Sequence, residues 1–137
     1  LPKSATVEEA RSKVDGILKM VKLDRKAGEM GGRLTTLERK RLELGKALAT
    51  EPEVLLLDEV MTGLKPHEME EMMAFIMELK KRMTIVVVEH VMKVINTISD
   101  RVIVLDHGTK IAEGVPREVM GQPQVIEAYL GRSAGHA

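Results

Sequence analysis

The run Val54-Leu55-Leu56-Leu57-Asp58-Glu59 constrains this chain more than any other stretch. Four apolar residues stand in a row with no polar alternation, then two carboxylates, then a turn. A short apolar run without alternation reads as a strand covered on both faces, the kind found in parallel sheets. Ligands of open α/β sheets sit at the carboxyl ends of such strands, which is where Asp58 and Glu59 stand. Taken alone, the run also fits a strand that ends in a solvated acidic turn.

The pattern recurs. Thr84-Ile85-Val86-Val87-Val88 is rich in β-branched residues and reads as a second covered strand, ending in Glu89-His90. Arg101–Leu105 reads as a third. Asp106-His107-Gly108 makes a turn, and Thr109–Ala112 pairs back as a hairpin that ends at Glu113-Gly114. Between the strands lie helical periods. Thr6-Val7-Glu8-Glu9 is a capping box opening a helix to about Val21. Leu23–Arg33 is polar and Gly-rich, hence a loop or linker. Thr35 and Glu38 form a second capping box, opening a helix that ends near Thr50; Leu37, Leu44 and Leu48 share a face with Arg41 among them. Gly45-Lys46 looks like the end of a phosphate-binding loop, but no Gly precedes it at the required spacing and Ala47 stands in place of Ser or Thr. Pro66 starts a helix to about Lys81, with an apolar stripe of Met69, Met72, Met73, Ile76 and Leu79. Val91–Ile98, Pro116–Met120 and Pro123–Leu130 read as short helices. Strands alternating with helices predict an α/β fold, a helical segment followed by part of a parallel sheet flanked by helices. Two parallel strands and a hairpin make a small sheet.

The balance of charge narrows the function classes. Lys+Arg and Asp+Glu both number 21, so the net charge is zero and no nucleic-acid-binding surface is expected. With no Cys, disulfides and thiolate metal sites are excluded. No apolar run approaches the length of a bilayer span. The first residue is Leu1, which leads us to expect that the sequence is not a complete translation product.

Three features then converge: a strand ending in Asp58-Glu59, a strand ending in His90, and a capped helix starting at Thr35 upstream of both. Hydrolysis of a nucleoside triphosphate needs a carboxylate for Mg²⁺, a group to orient the attacking water, and donors for the γ-phosphate. Asp58 suits the metal, Glu59 the water and His90 the γ-phosphate, and a helix N-terminus supplies further donors.

On these residues the sequence resembles the C-terminal part of the nucleotide-binding subunit of ATP-binding cassette (ABC) transporters. Val54–Glu59 matches the family's Walker B motif with its catalytic Glu. Met61-Thr62-Gly63-Leu64-Lys65 falls on the D-loop, Val86-Val87-Val88-Glu89-His90 on the strand before the switch histidine, and Asp100–Leu105 with Gly108–Gly114 on the hairpin after it. Ala47–Pro52, Val88–Met92 and Val125–Gly131 are similar to ATPases of branched-chain amino acid importers, and importers of urea or short amides share this look. The resemblance implies a partial P-loop NTPase fold and a parent subunit that hydrolyses ATP with Mg²⁺. Its catalytic residues would be Glu59 and His90, its metal ligand Asp58, and its nucleotide-contacting signature Thr35, Thr36, Leu37 and Glu38. The implied partners are transmembrane permease subunits, a second ATP-binding subunit and, indirectly, a substrate-binding protein. The implied place is the cytoplasmic face of the membrane, reached through the permeases. The resemblance divides the chain into a helical subdomain portion (1–50), the C-terminal half of the ATPase core (51–131) and a tail (132–137).

The departures matter as much. Leu34-Thr35-Thr36-Leu37-Glu38 stands where the family has Leu-Ser-Gly-Gly-Gln, Val60 where it has Pro, and Lys65 where it has Asp. Glu38 adds a carboxylate that would repel a triphosphate unless it turns back to cap its own helix. The 137 residues contain no Gly-x-x-x-x-Gly-Lys-Ser/Thr loop. Alone, the chain is therefore expected neither to bind ATP tightly nor to hydrolyse it, and to be marginally stable with apolar surface exposed. The alternative is a non-catalytic interaction or dimerisation module derived from an ABC ATPase. An ABC-type ATPase of DNA repair is disfavoured, because no long heptad arm is present. His67 and His107 read as surface residues and the Met stripe as core. Arg39-Lys40-Arg41 reads as a solvated helix face.

Overall fold

The computed structural model describes residues 6–133, with side chains through Tyr129. The elements run α1 (Val7–Met20), two 3₁₀ turns (Asp24–Lys26 and Gly31–Arg33), α2 (Thr36–Leu48), β1 (Val54–Asp58), α3 (Pro66–Leu79) and β2 (Thr84–Val88). They continue with α4 (Met92–Ile98), β3 (Val102–Asp106), β4 (Thr109–Gly114), α5 (Pro116–Val119) and α6 (Pro123–Ser133). Of the tail read at 132–137, residues 134–137 lie outside the described residues. The chain divides into two compact units after Val88.

In the first unit, local chemistry sets the helix ends. Thr6 caps α1: its hydroxyl accepts from the Glu9 N–H at 3.2 Å, and the Glu9 carboxylate accepts from the Thr6 N–H at 2.7 Å. At the other end Lys22 turns left-handed (φ 59°) and the Leu23 N–H reaches back to the Leu18 carbonyl at 2.7 Å, closing the last turn. Val21 and Leu23 are buried there, so the polar loop beyond them is pinned at its root. α1 packs on α2, where Gly45 leaves room for Ile17 and Val21. The apolar faces of α2 and α3 supply most of the buried set: Leu37, Leu44 and Leu48 from one, Met72, Met73, Ile76 and Leu79 from the other. Met69, expected in that stripe, is only half-buried.

Arg41 corrects the solvated reading of Arg39-Lys40-Arg41. It is 8% exposed. Its guanidinium donates to the Glu71 carboxylate of α3 at 2.6 Å, so a charged pair joins α2 to α3. The long Arg stem lies along apolar surface while its head meets a half-exposed carboxylate.

β1 and β2 pair in parallel in straight register, Val54 opposite Thr84 through Asp58 opposite Val88. Here too an expectation is corrected. Leu55 and Leu57 are buried, but Val54, Leu56, Val86 and Val88 are exposed. One face of the sheet is covered and the other, equally apolar, is open. The composition of a strand records which faces suit burial; covering a face needs a second layer.

In the second unit β3 and β4 form an antiparallel hairpin. His107 (φ 44°) and Gly108 (φ 78°) both take left-handed backbone, the two-residue turn whose twist matches paired strands. A bulge shifts the register between Val104 and Leu105. Val102, Ala112, Val119 and Val125 make the core, with Ile95, Val104, Ile111 and Met120 packed against them. Gln124 of α6 ties itself to β4 by donating to the Ile111 carbonyl at 3.0 Å. Glu113 pairs with both Arg101 and Lys110. Among the described residues no helix is long and apolar enough to cross a membrane.

Candidate functional site

Successive residues of a strand point to opposite faces, so Asp58 shares the open face of the sheet with Val54 and Leu56. Its carboxylate is exposed. Glu59 then leaves the strand with φ 46°, a left-handed conformation that costs a non-glycine residue roughly 1–2 kcal/mol. Such a conformation persists only when its surroundings impose it. Here the Glu59 N–H donates to the Val88 carbonyl at 2.9 Å, adding one rung beyond the paired strands, and the Glu59 carbonyl accepts from the Thr62 N–H at 3.1 Å. Met61, fully buried, anchors the turn. The result is two adjacent carboxylates at the carboxyl end of a parallel strand, with the second redirected out of the strand's alternation.

The start of α2 lies beside this turn. Gly63 (φ 78°) faces Thr36: a β-carbon on it would meet the Thr36 methyl at 3.8 Å, an ordinary van der Waals distance. Thr35 is the N-cap: its hydroxyl accepts from the Glu38 N–H at 3.3 Å, and the Glu38 carboxylate accepts from the Thr35 N–H at 2.8 Å. The second carboxylate oxygen of Glu38 meets Lys26 Nζ at 3.0 Å. The backbone hydrogen bond at Thr35, then the Lys26 ammonium, hold the Glu38 carboxyl below the ordinary Glu range. Both oxygens of the extra carboxylate are therefore engaged within the chain. Leu37 turns into the core, so its side chain does not stand at the helix mouth. The sequence reading missed Lys26. It sits in the loop, twelve residues before Glu38, at no helical spacing, and only the fold of that loop brings the two together.

Asp58, Glu59 and the Thr35–Glu38 segment all lie in the first unit. His90 belongs to the second unit. It is exposed, and with Glu89 it lines a cleft of about 550 Å³ walled by Ile95, Val102, Val104 and Tyr129. His67 is exposed in the first turn of α3, and His107 sits exposed at the hairpin turn with Nδ1 3.1 Å from the Asp106 carboxylate. Among the described residues no three His, Asp or Glu side chains cluster as a self-sufficient metal cage. An exposed carboxylate such as Asp58 fits Mg²⁺ instead, which binds through one or two carboxylates and otherwise keeps water and phosphate oxygens.

Residues 109–135 match the family model described as branched-chain amino acid ATP-binding cassette transporter. Over 127 residues the chain is 38% identical to the high-affinity branched-chain amino acid transport ATP-binding protein LivG of Salmonella typhimurium, covering 91% of this chain and 50% of that one. It is 34% identical to the probable branched-chain amino acid transport ATP-binding protein LivG of Methanocaldococcus jannaschii, covering 96% and 52%. The fold matches the crystal structure of the ADP conformation of an ATP-binding cassette of an ABC transporter with a TM-score of 0.85 at 29% identity, over 96% of this chain and 54% of that one. The chain spans about half the length of the curated relatives it matches. By sequence and by fold, it is homologous to the C-terminal part of the ATP-binding subunits of ABC transporters.

Proposed function

We propose that these residues form the metal-binding and water-orienting half of the ATPase site of an ABC importer subunit, which couples ATP hydrolysis to uptake of branched-chain amino acids, with urea or short amides as the alternative solute. The observation that carries the reading is the left-handed Glu59 directly after Asp58, at the carboxyl end of a parallel strand and beside the start of α2. Asp58 would hold Mg²⁺ directly or through water. The bound ion supplies charge neutralisation of the phosphates. Glu59 accepts a hydrogen bond from the attacking water and orients it. His90 donates to a γ-phosphate oxygen. The Thr35–Glu38 segment meets the nucleotide held by a second ATP-binding subunit, through the Thr35 hydroxyl and the free N–H groups at the start of α2. Glu38, kept on its own cap by Thr35 and Lys26, is withheld from the triphosphate.

The subunit would work on the cytoplasmic face of the membrane, docked on transmembrane permeases that receive solute from a substrate-binding protein. Its activity needs a phosphate grip that the 137 residues do not contain. The test is a chimera in which residues 6–133 replace the matched half of a LivG-type subunit. Glu59→Gln should lower ATP turnover about 100-fold or more with nucleotide binding retained; equal turnover in the two chimeras removes Glu59 from the mechanism. A second reading, a non-catalytic interaction module, draws on the commitment of both Glu38 oxygens within the chain. Steady turnover by the chimera would count against it.

A further inference from the structure

The capping box of α2 carries a part that the helix does not need. Capping Thr35 uses one Glu38 oxygen, Oε2, which accepts from the Thr35 N–H at 2.8 Å. The other, Oε1, meets Lys26 Nζ at 3.0 Å. α1 opens on the same box through Thr6 and Glu9, and among the described residues no cation meets Glu9. A helix start is therefore complete without the ammonium. Nor does the pair add much to stability: the Lys26 side chain is 42% exposed, and exposed ion pairs contribute little. Yet the loop is built to deliver it. Leu23 and Leu34, at the loop's two ends, are buried. Between them the Lys26 N–H donates to the Leu23 carbonyl at 2.9 Å, and the Lys26 carbonyl accepts from the Glu29 N–H at 2.9 Å. The backbone under Lys26 is fixed from both sides.

The charges say what the ammonium is for. The open start of a helix presents roughly half a positive charge. A unit carboxylate in its first turn reverses that sign, and an anion arriving there is repelled. A unit ammonium held on the carboxylate reverses it again. We propose that Lys26 is a positioning residue for the triphosphate contact at Thr35–Glu38: it holds Glu38 on the cap and cancels its charge, so that the start of α2 attracts the phosphates of a nucleotide held by the second ATP-binding subunit. Lys26 acts through Glu38 and does not itself touch the nucleotide. The proposal rests on the reading that this segment meets a nucleotide; the Lys26–Glu38 pair does not.

The test is a double-mutant cycle in the chimera, with Glu59→Gln in every member so that bound ATP persists. The readout is the Mg·ATP concentration at which the chimera pairs with the importer's second ATP-binding subunit, followed by light scattering. Lys26→Met keeps the stem and removes the charge. It should raise that concentration about fivefold, the worth of one unit charge near another in water. Lys26→Arg, which keeps the charge, should stay within about twofold. With Glu38→Gln in place, Lys26→Met should change the concentration by less than about twofold. The same rise in both backgrounds would mean that Lys26 does not act through Glu38, and no rise beside Glu38 would mean that its charge goes unfelt; either result overturns the proposal. In urea the full chain should unfold at nearly the same midpoint with and without Lys26→Met. A clear fall makes Lys26 a structural residue and overturns the proposal as well. If the chimera with Lys26 intact pairs at no Mg·ATP concentration, the nucleotide-contact reading falls and takes the proposal with it. Pairing that ignores Lys26 strikes the proposal alone.

Discussion

Helices α1 and α2 begin with the same device. Thr6 and Thr35 each cap the helix with a hydroxyl, and Glu9 and Glu38 each return a carboxylate to the cap's own N–H. Beyond the caps the two helices differ. α1 has no fully buried residue, and its Val7 and Val14 face solvent. α2 buries Leu37, Arg41, Leu44, Gly45 and Leu48. Its capping Glu is also ion-paired to Lys26, and Thr36 in its first turn lies near Gly63 of the turn after Glu59. The same local chemistry therefore only starts one helix and, at the other, holds an acid in place beside the candidate site. A capping box sets where a helix starts; tertiary packing decides what that start is used for.

The contrast can be strained at several points. Truncating α2's core should do the most damage: Leu44→Ala is expected to cost about 2–4 kcal/mol in urea unfolding, while Val14→Ala on α1 stays within about 0.5 kcal/mol. Similar costs for the two would mean that α1 is buried in solution. Next in size is the charged seam. Arg41→Ala loses both the packed stem and a charge-assisted hydrogen bond, roughly 1.5–3 kcal/mol, and Arg41→Met, which keeps the stem, should recover part of it. If Met recovers nothing, the ion pair to Glu71 carries the effect alone.

The caps come next. Thr35→Ala should cost about 1 kcal/mol and Thr6→Ala about half of that, because α2's start is pinned by packing and α1's is not. Reversed values would mean that packing leaves the worth of a cap unchanged. The smallest effect is in pH. The carboxyl of Glu38 titrates below the ordinary Glu range in the folded chain, through Thr35 first and Lys26 second. Its contribution is therefore present above the unfolded Glu pKa of roughly 4.3 and is lost as pH falls through the lowered folded value. Glu38→Gln should flatten that part of the acid limb of stability, whereas an unchanged limb would show that the lock with Lys26 does not persist in solution.

Much of the architecture is legible because it is written locally. The capping boxes at Thr6 and Thr35, the prolines opening α3, α5 and α6, and the His107-Gly108 turn each involve residues within a few positions of one another. The features that were not legible join distant positions. Lys26 meets Glu38 across a loop, Arg41 meets Glu71 across a helix seam, and the left-handed backbone of Glu59 is imposed by a carbonyl on β2. No spacing rule encodes such partners.

The strand Val54–Asp58 divides the two kinds of information most sharply. Its run of aliphatics by itself determined that both faces suit burial and that two acids end it, since hydrophobicity and order belong to the residues. Which face is covered, and that Asp58 lies on the open one, was decided only by tertiary structure. Burial is a relation between layers, and a strand does not carry its second layer in its own sequence.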